Sequence, residues 1–92
     1  MKVIRKKVLV DGRVQGVGYR MFARDLAAQY HVSGWVKNLE TGSVEAEIEG
    51  DLEIVDEVIE GLYARDSYII RVDRITATEI PPEGSYEFVI RR

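Results

Sequence analysis

The sequence predicts an α+β domain of order β-α-β-β-α-β with a short further strand near its C-terminal end, in which two helices cover one face of an antiparallel sheet. Three patterns point to it. Val8, Val10 and Val14 share one parity ahead of a glycine-rich loop, as in a strand. Phe22, Leu26 and Tyr30 then recur at helical spacing. Further on, Val44, Ala46 and Ile48 alternate with Glu45, Glu47 and Glu49, which describes a strand with one buried and one wet face.

The elements follow in order. A first strand is expected from about Val3 to Val14, and a first helix from about Arg20 to His31 with Ala23 and Ala27 beside its apolar stripe. Val32 to Leu39 is rich in β-formers and leads into the turn-like Glu40-Thr41-Gly42-Ser43, so a hairpin connects it to the strand that opens at Val44. The three glutamates of that strand are expected to be solvated. Asp51 suits an N-cap, and Leu52, Val55, Val58, Ile59 and Leu62 form the apolar face of a second helix to about Tyr63, with Gly61 an unfavourable residue inside it. Two strands close the pattern, about Val72 to Ile80 and Ser85 to Arg91, parted by Pro81-Pro82-Glu83-Gly84. Apolar parity changes between Val72 and Ile75, which predicts either a bulge or a later start of the strand than its apolar residues suggest.

A chain of 92 residues suffices for one hydrophobic core, so residues 1–92 are expected to form a single domain. Its 46% hydrophobic and 32% charged residues describe a globular protein, and no apolar run has the length to cross a bilayer or to serve as a signal peptide. A cytoplasmic location follows as the expectation. The absence of cysteine excludes disulfides, thiolate metal sites and cysteine nucleophiles, and a lone histidine, His31, is a poor basis for a zinc site. The net charge of −3 conceals an asymmetry. Gly12 to Arg24 carries Arg13, Arg20 and Arg24 and no acid, whereas Glu45 to Glu60 carries eight acids and no base. One small anion at the first segment is compatible with this pattern, and a long polyanion is not.

The chemistry concentrates in Gly12-Arg13-Val14-Gln15-Gly16-Val17-Gly18-Tyr19-Arg20. Glycines allow backbone N–H groups to converge, a helix N-terminus adds unpaired donors and a positive dipole end, and arginine supplies a permanently charged planar fork. The motif by itself fits either a phosphate cradle or a glycine-rich turn with a solvated arginine.

That segment resembles the first acylphosphatase signature, and Gly34-Trp35-Val36-Lys37-Asn38-Leu39-Glu40-Thr41-Gly42-Ser43-Val44 resembles the second, at the family's spacing. The element order is similar to the family's ferredoxin-like α/β sandwich. The departure is Ala64-Arg65-Asp66-Ser67-Tyr68, where many relatives carry a glycine-proline loop. The resemblance implies hydrolysis of a carboxyl-phosphate mixed anhydride to a carboxylate and inorganic phosphate, without metal or cofactor. It implies Arg20 as the phosphate-binding arginine, Asn38 as the water-orienting asparagine, and backbone N–H groups of Gln15, Gly16, Val17, Gly18, Tyr19 and Arg20 as the cradle. The implied partners are a small acyl phosphate and inorganic phosphate, as product and competitor. Neither nucleic acid nor membrane is expected, and the chain is expected to be monomeric.

The chemistry accords with these residue types. Phosphoryl transfer depends on in-line positioning and on stabilising charge on the equatorial oxygens. A carboxylate leaves as a stable anion, so no strong general acid is needed. The carboxamide of Asn38 does not titrate usefully but can hold a water; by itself the residue also fits turn chemistry beside a hairpin. Trp35 and Tyr19 are expected to pack, while Arg13 and Lys37 remain candidates for steering. A non-catalytic small-anion or RNA-binding module of the same element order is the alternative. The RNA reading lacks aromatic platforms, since the third strand carries glutamates there.

Overall fold

The computed structural model describes residues 2–92. Its elements are β1 (Val3–Arg13), α1 (Tyr19–Tyr30), β2 (Ser33–Asn38), β3 (Val44–Asp51), α2 (Leu52–Gly61), β4 (Arg71–Ile80) and β5 (Phe88–Arg91). The five strands form one sheet of order β4-β1-β3-β2-β5, with α1 and α2 packed on one face. None of the helices is long and apolar enough to cross a membrane.

The expected antiparallel pairing holds for β1 with β3, β1 with β4 and β2 with β3, whereas β5 pairs with β2 in parallel, so the sheet is mixed. Connectivity explains the exception. β4 finishes beside the start of β1, Ile80 opposite Arg5, at the sheet end where β2 also begins. The segment 81–87 crosses at that end to the far edge, and β5 enters there alongside Gly34 and runs in the direction of β2. β5 begins at Phe88 rather than Ser85, because the residues before it belong to this crossing.

Strand alternation builds the core. Ile4, Val8 and Val10 of β1, Val36 of β2, and Val44, Ala46 and Ile48 of β3 face the helices and are buried. On α1 the innermost residues are Tyr19, Ala23 and Ala27, while Phe22, Leu26 and Tyr30 flank them half-buried. Small residues let the helix lie close to the sheet, and the larger ones fill the space beside α2. Gly61 has its place here: a Cβ at this position would lie 2.8 Å from Leu26 Cδ2. α2 begins as expected, with the Asp51 carboxylate accepting from the N–H of Glu53 at 3.2 Å. The expected bulge is also present. Asp11 lies opposite Arg74 and Gly12 opposite Val72, leaving Asp73 as the extra residue of β4.

The opposite face of the sheet departs from expectation. Glu47 and Glu49 are not simply solvated, because Arg5, only 1% exposed, reaches between them. Its Nε donates to Glu47 Oε1 at 2.7 Å and its NH1 to Glu49 Oε1 at 3.0 Å. Glu49, 4% exposed, also accepts from the backbone N–H of Glu83 at 2.7 Å and of Gly84 at 2.9 Å. Arg5 donates to Ser85 Oγ as well, and Ser33 Oγ meets the Ser85 carbonyl and hydroxyl at 3.0 and 2.8 Å. A buried charge cluster thus pins the crossing segment to the sheet. Burial opposes both charges but is outweighed: the glutamate bonds hold the Arg5 guanidinium above its ordinary value, and the Glu83 N–H, Arg5 and the Gly84 N–H hold the Glu49 carboxyl below its own.

Removing one member leaves the other buried and unpaired, so Arg5→Met should destabilise the fold by about 3–5 kcal/mol in denaturant unfolding. Acid should act on the same cluster. The folded Glu49 carboxyl titrates below its unfolded value, so its contribution is present above about pH 4.3 and lost as the pH falls through the lower folded value. Between neutrality and about pH 3 the parent chain should therefore lose stability more steeply than Glu49→Gln. Equal slopes would remove Glu49 from the acid response.

Candidate active site

The polypeptide leaves β1 at Arg13, buries Val14, and passes through Gly16 and Gly18 before α1 starts at Tyr19. Gly16 and Gly18 adopt φ of +72° and +78°, left-handed conformations that glycine takes without steric cost. Gly18 is the N-cap of α1, with no side-chain cap and no acid in the first turn. The free N–H groups and positive end of the helix dipole are therefore not neutralised locally.

Tyr19 locks this junction. Its hydroxyl donates to the Leu62 carbonyl at 2.6 Å, and burial pushes the phenol up, so it remains a donor at neutral pH. Arg20 follows half-buried. Its NH1 donates to the Arg91 carbonyl of β5 at 3.4 Å, and no carboxylate pairs with it among the described residues. Asn38 ends β2 opposite Val44, on the helix-facing side shared with Val36. Its Oδ1 is buried and has no hydrogen-bond partner among the described residues. A polar atom left in this condition costs about 1–3 kcal/mol.

These residues border one cavity of about 480 Å³, lined by Val14, Gly16, Gly18, Tyr19, Arg20, Met21, Asn38, Ile90 and Arg92. Of the residues singled out in the sequence, it gathers Gly16, Gly18, Tyr19, Arg20 and Asn38. Gln15 and Val17 do not line it. Val17 packs against the core, and the Gln15 side chain turns to the β2–β3 hairpin. Val14, Met21, Ile90 and Arg92 are additions. Ile90 and Arg92 come from the far end of the chain through the parallel pairing of β5, for which the local pattern carries no signal.

The remaining candidates lie elsewhere. Arg13 is exposed, and Lys37 points to the other sheet face, 3.8 Å from Glu45. Trp35 is buried on that face beneath two cations, with Lys37 Nζ 5.4 Å and Arg91 Cζ 4.7 Å from its ring. His31 caps α1 at φ +57°, its backbone N–H donating to the carbonyls of Ala27 and Ala28. It borders a separate groove of about 840 Å³ with Arg24, Ser33 and Glu49. Where a glycine-proline loop was lacking, Ala64 takes a φ of +51°, and Ser67 Oγ accepts from the N–H groups of Ile69 and Ile70. No group of three or more His, Cys, Asp or Glu side chains suited to a metal ion occurs among the described residues.

The chain is similar to known proteins in sequence and in fold. A family model described as Acylphosphatase matches residues 6–90. A relative from Natronomonas pharaonis, named Acylphosphatase, is 45% identical over 89 residues, which span 97% of this chain and 96% of its own. The crystal structure of acylphosphatase from Bacillus subtilis superposes with a TM-score of 0.91 at 36% identity, covering 97% of this chain and 99% of that one. The crystal structure of T. kodakarensis HypF matches with a TM-score of 0.84 at 36% identity, covering 97% of this chain and 12% of that much longer one.

Two glycine substitutions should separate strain from collision. A Cβ at Gly18 meets nothing within 4 Å, so Gly18→Ala should fold and lose only the left-handed penalty, about 1–2 kcal/mol. A Cβ at Gly34 would lie 1.8 Å from the Glu47 carbonyl oxygen, so Gly34→Ala should not reach the native sheet. Thermal unfolding checks both, and a stable Gly34→Ala protein would contradict the β2–β3 register.

Proposed function

The chain belongs to the acylphosphatase family, and from that premise we propose that it hydrolyses acyl phosphates, with water, to a carboxylate and inorganic phosphate. The observation that carries this reading is the convergence on one cavity of the Gly16–Gly18 loop, the uncapped start of α1, the Arg20 guanidinium with no carboxylate partner among the described residues, and Asn38, whose buried Oδ1 has no partner among them either.

The phosphoryl group sits against the loop and the first amides of α1, its charge met by backbone N–H groups and the Arg20 guanidinium. Asn38 holds a water in line with the bond to be cleaved. Attack forms a new P–O bond to the water oxygen and breaks the bond from phosphorus to the acyl oxygen, which departs with its electron pair as a carboxylate. The water's protons pass to the product phosphate and to solvent. No group need act as a strong acid, because the leaving group is stable as an anion. Catalysis is then the stabilisation of charge on the equatorial oxygens by donors fixed beforehand, together with the positioning of one nucleophile. The anchors support that demand for rigidity: Tyr19 is tied to Leu62, and Arg20 to the backbone of β5.

Phosphate release should be seen from acetyl and benzoyl phosphate, with little from a phosphate monoester, and should survive a chelator. Arg20→Ala should lose ~10²-fold or more in turnover while remaining folded. Arg20→Lys should also be impaired, since an ammonium lacks the planar fork. Phosphate binding without turnover in the parent chain would instead mark a small-anion-binding module.

Asn38→Ala should separate rate from binding. Turnover should fall while inorganic phosphate still competes with undiminished affinity, because the loop and Arg20 are untouched. Parallel loss of both would place Asn38 in the anion's own shell.

A further inference from the structure

The geometry points to Gln15 as a positioning residue that registers Asn38 against the glycine loop, an inference that rests on the hydrolytic reading above. Gln15 lies one residue before Gly16 of the cavity wall, yet its side chain leaves the cavity and spans to the hairpin after β2. Its Nε2 donates to the Leu39 carbonyl at 2.7 Å and to the Ser43 carbonyl at 2.8 Å. These two carbonyls belong to the turn that the backbone closes through Leu39 N–H to Ser43 and Gly42 N–H to Leu39. Both protons of one amide nitrogen are therefore spent on the two ends of one turn, and the first of those ends directly follows Asn38.

The chemistry of the link is specific. Rotating the amide would face its oxygen at two carbonyl oxygens, so the network fixes the orientation. A carboxylate there would supply no donor at all, and an alkyl chain would fill space without holding the turn. Leu39 O and Ser43 O each keep a backbone donor, Gly42 N–H and Leu39 N–H, so losing the link loosens the turn rather than unfolding the sheet, which keeps its β1–β3 and β2–β3 ladders. A second tie, Ser43 Oγ donating to Asp11, whose other oxygen accepts from Arg74 at 3.1 Å, holds Ser43 to β1 independently. No comparable side-chain tie reaches Leu39 among the described residues. The freedom gained on breaking the Gln15 link is thus concentrated next to Asn38.

A double-mutant cycle with phosphate competition tests this. Gln15→Leu should fold and bind inorganic phosphate as the parent does, but lose turnover by up to ~10²-fold, the scale for a reacting group displaced by about an ångström. In the Asn38→Ala background the same change should cost nothing further, because a residue that acts through Asn38 has nothing left to position. Gln15→Glu should be worse than Gln15→Leu at neutral pH. Relative to the parent at the same pH, it should recover as its carboxyl protonates in the range of about pH 4–5 and regains one donor. Losses that add across the cycle, phosphate affinity that falls in step with rate, or no loss at all would overturn the link while leaving the hydrolytic reading intact. Full turnover in Asn38→Ala would likewise overturn the link alone, and a parent chain without turnover would sink both.

Discussion

The buried guanidinium of Arg5 is the interaction on which the far edge of the sheet depends. It pairs with both Glu47 and Glu49, and Glu49 in turn grips the backbone of Glu83 and Gly84. The crossing segment is thereby fixed before it reaches Gly34, whose N–H donates to the Glu87 carbonyl at 2.7 Å. β5 follows in parallel register, Val36 opposite Ile90 and Lys37 opposite Arg91. The register of β5 brings Ile90 to the cavity wall and offers the Arg91 carbonyl to Arg20. The charge cluster lies toward the start of β2 and the cavity at its end, so the strand itself transmits the constraint.

Strand parity also sorts the electrostatics. Gly34, Val36 and Asn38 face the helices, while Trp35 and Lys37 face the other way with Glu45, Glu47 and Glu49. The acidic stripe of β3 therefore lies across the sheet from the cavity, met by Arg5, Lys7 and Lys37. The start of α1 is separated from those carboxylates by the thickness of the sheet. The charge asymmetry along the chain becomes an asymmetry between two faces.

What the sequence made legible was local. Alternation in β3, helical spacing in α1 and α2, the Asp51 cap and the bulge at Asp73 all depend on residues within a few positions of one another. The inner face of α1 was misplaced by one position, because Phe22 and Leu26 outweigh alanines in any hydrophobicity count, although Ala23 and Ala27 are what a close helix-to-sheet approach requires. Gly61 looked like a defect until Leu26 was placed beside it. The glutamates of β3 looked solvated, since the alternating pattern gives no hint that Arg5, over forty residues away, would be buried with them. Within the candidate site, Arg20, Asn38 and the glycines were legible through the resemblance of two segments to family signatures, since each taken singly also fitted turn chemistry. Ile90, Arg92 and the outward turn of Gln15 depend on which chain segments become neighbours, which short-range patterns do not encode.

The parallel entry of β5 bears on how the molecule assembles over time. Its partner strand lies far away in the chain, with Val36 meeting Ile90, and closing so long a loop loses entropy before any contact compensates. The β2–β3 hairpin, by contrast, closes over the short turn around Gly42. Loop-closure entropy therefore places the docking of β5 after the closure of the β2–β3 hairpin. During synthesis the constraint is stricter, because β5 is the last of the strands to emerge and the cavity lacks one wall until it does. A nascent chain thus has no finished cavity until β5 has been made and has found β2.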